Sequence, residues 1–481
     1  MTRTIRYAIA AIVVLATAAL SAQGPDITWM RTYGGDNDDI IYAVNAVGDG
    51  YIIAGKTTSF GAGNADLYIL RTDANGDSLW MTVWGTSRQE HGRDVISCSG
   101  GGYAVVGNER LIQNSYPQIV FHRLDAAGNI VNTRNYGHIG ADEAWSIVET
   151  SDGGFAIAGI TDVSNSGQTD VYLVRTDASG DTLWTRAWGG GDDDEGHCVE
   201  QTPDGGFVVA GNTLSFGAGS ADIYLLRVDA FGDTLWSRTY GGSSGDWGRC
   251  VRLTSDGGFV VAGYTSSYGA GQSDMYLVKT DAGGDTLWTR TYGLNHYEYC
   301  NSVVEVNNGY TLVGHSESFG AFKDLYIVRT NLFGDTLWTK VIGGDSQDWG
   351  YDIESTADGG YIVAGYTNSY GASDNDAWLI KLGYDPTGID NHTRLPALQV
   401  KNHPNPFNPT TTITYRLPDA CHVTVKVFDA SGRRVATLYD GEKEAGQHNL
   451  RWNAAGFRSS VYFVQLDASG ETRVAKAVLL K

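Results

Sequence analysis

Seven carboxylates recur in one register of this 481-residue chain, at Asp39, Glu90, Asp142, Asp194, Asp246, Glu298 and Asp348. Oxygens gathered in one place are what a hard cation such as Ca²⁺ requires. Most of these residues stand beside a Gly-rich stretch, however, and a carboxylate there commonly bonds its own turn, so turn formation is favoured over a metal ring. One residue further on, Trp247, Tyr299 and Trp349 stand where other registers have Ile40, His91, Glu143 and Glu195. Such an aromatic arc beside carboxylates is suited to stacking sugar rings, and equally to packing neighbouring elements together, which is the favoured expectation. The second register departs furthest from the others and holds His91, Arg93 and Asp94, residue types that serve acid and base chemistry when geometry brings them together. Local drift in one repeat is the simpler account of that departure. Gly241-Gly-Ser-Ser-Gly245 matches a nucleophile motif in letters only, because it joins two strand-like runs rather than a strand and a helix.

What must position these residues is a repeat. Trp29, Trp80, Asn132, Trp184, Trp236, Trp288 and Trp338 mark its phase, at spacings of 51, 52, 52, 52, 52 and 50 residues, and the carboxylates fall ten residues after each marker. A fixed period of this length denotes a solenoid or a propeller. Every unit holds four strand-like runs separated by turn residues, as between Gly248 and Tyr292. The seventh unit stops after Trp378-Leu-Ile-Lys381, while an orphan run, Asp26-Ile-Thr-Trp29-Met-Arg-Thr-Tyr-Gly-Gly35, precedes the first. Residues 26–35 are therefore expected to complete the last blade and close a seven-bladed β-propeller without open edges. A second set of carboxylates, Asp66, Asp170, Asp222, Asp274, Asp324 and Asp376, opens the third run of each unit and is expected on the same face as the first set. The Asp-Thr-Leu-Trp units resemble the tryptophan-docking blades of quinoprotein-type propellers, and the Gly-Gly-Tyr/Phe hairpins resemble kelch blades. That resemblance implies architecture alone, with no cofactor site.

Composition changes at Asn402-His-Pro-Asn-Pro-Phe-Asn-Pro409, after which six alternating runs predict a small antiparallel sandwich. Pro404-Asn-Pro-Phe-Asn-Pro409, Val427-Phe-Asp-Ala-Ser-Gly-Arg433, Val461-Tyr-Phe463 and Val478-Leu-Leu-Lys481 resemble the type A C-terminal sorting domain of type IX secretion, and the related immunoglobulin-like domain of flagellar hook-capping proteins. The resemblance implies an immunoglobulin-like β-sandwich, and the type IX secretion machinery as a partner. Ser460 stands where that family usually has Gly.

Arg3 and Arg6, the apolar run from Ala8 to Leu20 and Leu20-Ser-Ala22 read as a signal peptide over residues 1–22. The remaining domains are expected as an all-β propeller over 23–382, a linker over 383–397 and the sorting domain over 398–481, with no membrane span in the mature chain. Residues 395–481 hold 11 Lys and Arg against 7 Asp and Glu, a charge of +4 that leaves −25 on the rest of a chain of net charge −21, so nucleic acid is excluded as a partner. Five cysteines without metal-ligand spacing imply buried thiols. The reading is a secreted or cell-surface, non-catalytic propeller serving binding, adhesion or structure, with a glycan or protein ligand and no cofactor; an extracellular enzyme acting on glycans or peptides is the alternative.

Overall fold

The computed structural model describes residues 24–388, except 111–115, 139, 164–166, 307, 321 and 372–373, and residues 399–481, except 404, 418–420, 430–432, 445 and 469–470. The signal peptide expected over residues 1–22 lies outside the described residues. Two compact units divide the chain at Gly388 and Ile389. Among the described residues the only helical element is the 3₁₀ turn Pro386–Gly388, and no helix is long and apolar enough to cross a membrane.

The first unit is all-β and consists of repeated four-stranded antiparallel sheets, consistent with a propeller. They occupy residues 39–84, 90–136, 142–188, 194–240, 246–292 and 298–342, and the seventh joins 348–382 to the strand Ile27–Tyr33. In that sheet Met30 pairs with Ile380 and Thr32 with Trp378, so the earliest described strand supplies the outermost ladder of the last sheet. The first strands of successive sheets contact one another in turn, and Asp39–Val47 of the first sheet also contacts Asp348–Ser355 of the seventh, which completes the circuit. Burial follows this stacking. Second and third strands such as Phe207–Thr213 and Asp222–Val228 are buried throughout, because both of their faces meet a neighbouring sheet. Outermost strands such as Thr234–Tyr240 alternate between exposed and covered positions.

The marker tryptophan joins each sheet to the next. Trp236 lies edge-on to Phe259 at 5.9 Å, and the same contact recurs for Trp80 with Tyr103 at 5.7 Å and Trp288 with Tyr310 at 6.0 Å. A glycine in the facing turn makes room for the indole: a Cβ on Gly284, whose φ is +78°, would stand 2.7 Å from the Trp236 ring. The second sheet has Asn132 at this position. Its amide donates to the Ser179 carbonyl at 2.6 Å, while Phe121 meets Phe155 at 5.1 Å and fills the space.

At the sixth-to-seventh junction Trp338 is 1% exposed, and its indole N–H donates to Asp385 Oδ1 at 3.2 Å. Asp385 also accepts from Arg329 Nε at 3.1 Å and from the Tyr361 hydroxyl at 2.7 Å. Composition places Asp385 in the linker, yet it is 2% exposed, because the charge of Arg329 and two further donors draw it into the first unit.

The second unit contains a three-stranded sheet, ordered Gln399–His403, Thr410–Leu417, Gly446–Asn453, and a four-stranded sheet, ordered Arg434–Lys443, Cys421–Asp429, Ser460–Ala468, Glu471–Leu479. Val423, Val425 and Val427 form one buried cluster with Ile413, Tyr415, Leu417 and Trp452. Phe407 lies 5.2 Å from Trp452, and its backbone pairs with the chain's last strand, the N–H to Val478 at 2.9 Å and the carbonyl to Leu480 at 3.0 Å. The Pro-rich motif and the terminal Val-Leu-Leu-Lys are thus two halves of one contact. Ser460 opens its strand without a positive φ, so glycine is not required there.

Trp338→Ala is expected to cost about 4 kcal/mol through lost burial and a cavity, and Trp236→Ala, only half-buried, about half as much. Chemical denaturation of the two variants measures the difference.

Candidate functional site

A β-bulge interrupts the innermost ladder of every one of the seven sheets at the same place, for example between Gly248 and Cys250. The residue left without a ladder partner is Tyr42, Arg93, Trp145, His197, Arg249, Asn301 or Tyr351. A bulge re-aims the side chain it frees, and all seven of these side chains line one cavity of about 280 Å³. Glycine in the adjacent strand builds the bulge. A Cβ on Gly263 would stand 1.8 Å from the Trp247 carbonyl oxygen, and the equivalent glycine of each other sheet meets the same carbonyl at 1.8 or 1.9 Å.

Beyond the bulges, the next cavity-lining positions include Asp94, Ser146, Cys198, Cys250, Ser302 and Asp352, which bind sheet to sheet. Asp94 Oδ2 accepts the Ile147 N–H at 2.9 Å, the Ser146 hydroxyl accepts the Val199 N–H at 3.3 Å, and Asp352 Oδ2 accepts the Val44 N–H at 3.0 Å across the junction that closes the ring. Further along the strands come Glu200, Arg252 and Glu354, with Arg252 Nη1 3.3 Å from Glu200 Oε1.

The proposed aromatic residues belong to a longer run. Trp247 stacks on Tyr264 at 4.9 Å, Tyr264 meets Tyr299 at 4.5 Å, Tyr299 meets His315 at 5.0 Å, and His315 stacks on Trp349 at 3.7 Å. Trp349 reaches Tyr366 at 5.7 Å and Tyr351 at 6.0 Å, and Tyr351 meets Tyr42 at 5.0 Å. Eight rings therefore run without interruption from the fifth sheet to the first. Trp247, Tyr299 and Trp349 are half-buried, so part of each remains open.

Sheets two to four carry polar groups in the same register. His197 Nε2 lies 2.9 Å from both Glu195 Oε2 and Asn212 Oδ1, Trp145 lies 4.4 Å from the imidazole, and Arg249 joins this group to the aromatic run through the Tyr264 hydroxyl at 3.3 Å. His91, Arg93 and Asp94 do not act as one group. His91 and Arg93 border a smaller cavity of about 180 Å³ with Asn108 and Glu143, the Arg93 guanidinium lies over the Tyr42 ring at 4.9 Å, and Asp94 is bound to the backbone of the third sheet.

The seven-carboxylate register is engaged turn by turn. Asp246 accepts the Gly242 N–H at 2.8 Å and the Ser267 hydroxyl at 2.6 Å, and Asp39, Asp194 and Asp348 accept the same pair of donors. Asp142 accepts the His138 N–H at 2.6 Å, Glu298 the Leu294 N–H at 2.9 Å, and Glu90 the Thr86 hydroxyl at 2.6 Å. The second set lies beside the first, for a Cβ on Gly241 would stand 2.1 Å from Asp222 and 2.6 Å from Asp246. Burial, together with the neighbouring carboxylate, raises the pKa values of Asp170, Asp222, Asp274 and Asp324. Among the described residues no group of three or more His, Cys, Asp or Glu side chains is placed to hold a metal ion.

Burial also governs the cavity's proton chemistry. It lowers His91 to about 3, helped by Arg93. His197 is lowered by burial and then by Arg249, against the pull of Glu195. Although burial pushes Glu195 up, the hydrogen bond from His197 leaves its carboxyl below the ordinary range. Asp94 is raised to about 6 and Glu354 to about 8, in both cases chiefly by burial.

Sequence reasoning missed Tyr42, Trp145, His197, Arg249, Asn301 and Tyr351. They fall thirteen residues after each marker, but the positions on either side vary from unit to unit as well, so nothing in the spacing singles them out before the bulges form.

Residues 401–480 match the family model described as the secretion system C-terminal sorting domain. This segment is a type IX sorting domain. The sorting domain makes the protein a secreted or cell-surface one, exported by way of the periplasm, and implies interaction with the type IX machinery. Over 201 residues, 36% of this chain, the sequence is 28% identical to the regulatory protein FlaEY of Caulobacter vibrioides, of whose length it covers 21%. Solved structures similar to the chain include a puromycin hydrolase variant, at 14% identity and a TM-score of 0.48 over 79% of this chain and 59% of that one. The periplasmic gluconolactonase PpgL of Pseudomonas aeruginosa matches at 12% identity and a TM-score of 0.43 over 86% and 99%. At these scores the likeness says nothing of this chain's chemistry.

Two outcomes are expected. As pH rises from 4.5 to about 8 the unfolded chain loses the Glu354 proton before the folded chain does, so the folded state binds more protons and stability falls across that window. Glu354→Gln should flatten this dependence, as measured by denaturation at both ends of the window. Removing residues 399–481 should leave the protein in the periplasm, as cell fractionation would reveal.

Proposed function

We propose that the first unit is a seven-bladed β-propeller and the second an immunoglobulin-like sandwich related to that of hook-capping proteins, exported behind a signal peptide over residues 1–22. Outside the cell the propeller serves as a non-catalytic binding module for a glycan. The observation that supports this most is the uneven distribution of side chains around a regular repeat. Eight aromatic rings are gathered on four sheets, and Glu143, Glu195, Asn108 and Asn212 occupy the corresponding register of the other three. Aromatic faces suit the apolar faces of sugar rings, and carboxylates and amides suit hydroxyl groups. The half-buried rings of Trp247, Tyr299 and Trp349 would provide the platform, and Arg93 and Arg249 line the cavity two residues along their strands from this register.

An enzyme reading has one specific support, the hydrogen bond between His197 and Glu195 at 2.9 Å beside the cavity. The two readings differ in what a variant loses. Under the binding reading, Trp247→Ala with Trp349→Ala abolishes retention of the protein on polysaccharide while its circular dichroism is unchanged, and His197→Gln affects no turnover. Undiminished retention by the double variant would refute the glycan platform, and turnover lost in His197→Gln would establish the enzyme.

A further inference from the structure

Cys198 and Cys250 lie one repeat apart and therefore occupy the same place in adjacent sheets. Their Sγ atoms are 4.0 Å apart, and both residues line the cavity next to the bulges that present His197 and Arg249. In the same register other sheets carry Asp94, Ser146, Ser302 and Asp352, whose oxygens hydrogen-bond directly to the neighbouring sheet or to the next residue of this layer. The two thiols make only long contacts to the neighbouring strands, from Cys198 to the Val251 carbonyl at 3.5 Å and from Cys250 to the Val303 carbonyl at 3.8 Å. Arg252 Nη1 stands 3.6 Å from the Cys198 sulfur.

The geometry points to Cys198 and Cys250 as a redox site, a dithiol that a small disulfide converts into an inter-sheet disulfide. Bond formation brings the sulfurs to about 2.05 Å, a closure of about 2 Å that side-chain rotation supplies. The thiol–thiol contact and the Arg252 charge favour one thiolate in the pair against burial, and the exchange balances equally with the roles of the two cysteines reversed; with Cys250 attacking first, Cys198 resolves. The Cys250 thiolate attacks one sulfur of the incoming disulfide, forms a mixed disulfide and expels one thiolate. Cys198 then loses its proton and attacks the Cys250 sulfur, forming the protein disulfide and expelling the second thiolate. Two protein thiols are oxidised, one disulfide is reduced, and the two protons leave on the two small thiols. Cys98, Cys300 and Cys421 have no sulfur at comparable distance among the contacts of the described residues, and remain reduced.

The test is incubation of the folded full-length protein with oxidised glutathione, followed by denaturation, alkylation and peptide mass mapping. A cross-linked peptide pair containing Cys198 and Cys250, with the other three cysteines alkylated, is the expected result. Oxidation should also raise the melting temperature, and reduction should reverse that shift. Cys198→Ser should stop at a glutathione adduct on Cys250. Five alkylated cysteines after treatment, a cross-link involving any other cysteine, or an adduct in the unaltered protein that never resolves would each overturn the assignment. The wild-type chain carries the main readout, so a poorly folding variant does not weaken the test.

Discussion

Closure of the first unit is the constraint on which its other features depend. A linear stack of four-stranded sheets would leave the apolar outer faces of its first and last sheets open to water. Here the strand Ile27–Tyr33 pairs with Asp376–Leu382, and further bonds reinforce the junction: the Asp39 N–H to the Asn375 carbonyl at 2.7 Å, and the Asn375 amide to Asp38 Oδ1 at 2.9 Å. Because the circuit closes, seven bulges that would otherwise point along a line point into one cavity. The site is thus a product of topology as much as of side-chain chemistry.

The repeat divides its residues by task. Positions that must be alike are those that join a sheet to its neighbour: the marker indole, the glycine in the facing turn, the carboxylate fixing the inter-sheet turn, and the glycine opposite each bulge. Each answers a packing demand that arises seven times over. The bulge residue lines the cavity rather than a contact that recurs in every sheet, and it is Tyr, Arg, Trp, His or Asn from one sheet to the next. The second sheet shows how far the demand can be relaxed, since Asn132 with Phe121 replaces an indole without breaking the junction.

The second unit relies on a different economy. Its cluster around Trp452 is assembled from period-two alternation, and its first and last segments meet at Phe407 and Leu479. The Pro-rich and terminal motifs, far apart in sequence, are thus brought together only when the chain between them folds. The unit's charge of +4 contrasts with the negative charge of the rest of the chain.

By itself the sequence determined the strand content, the period, the orphan strand that completes the last sheet and the identity of the sorting domain, because each depends on local residue patterns repeated often enough to read. It also placed Trp247, Tyr299 and Trp349 in one register. Tyr264, His315 and Tyr366, which link these rings into the run, come from second strands, and no spacing rule connects them to Trp247 before the strands pair. Asp385, which composition places in the linker, is held by Arg329, Trp338 and Tyr361, partners distant in sequence. Which side chains share the cavity, and that two thiols stand 4.0 Å apart within it, was decided by tertiary structure alone: a bulge turns one residue per sheet inward, and only closure of the ring brings those residues together.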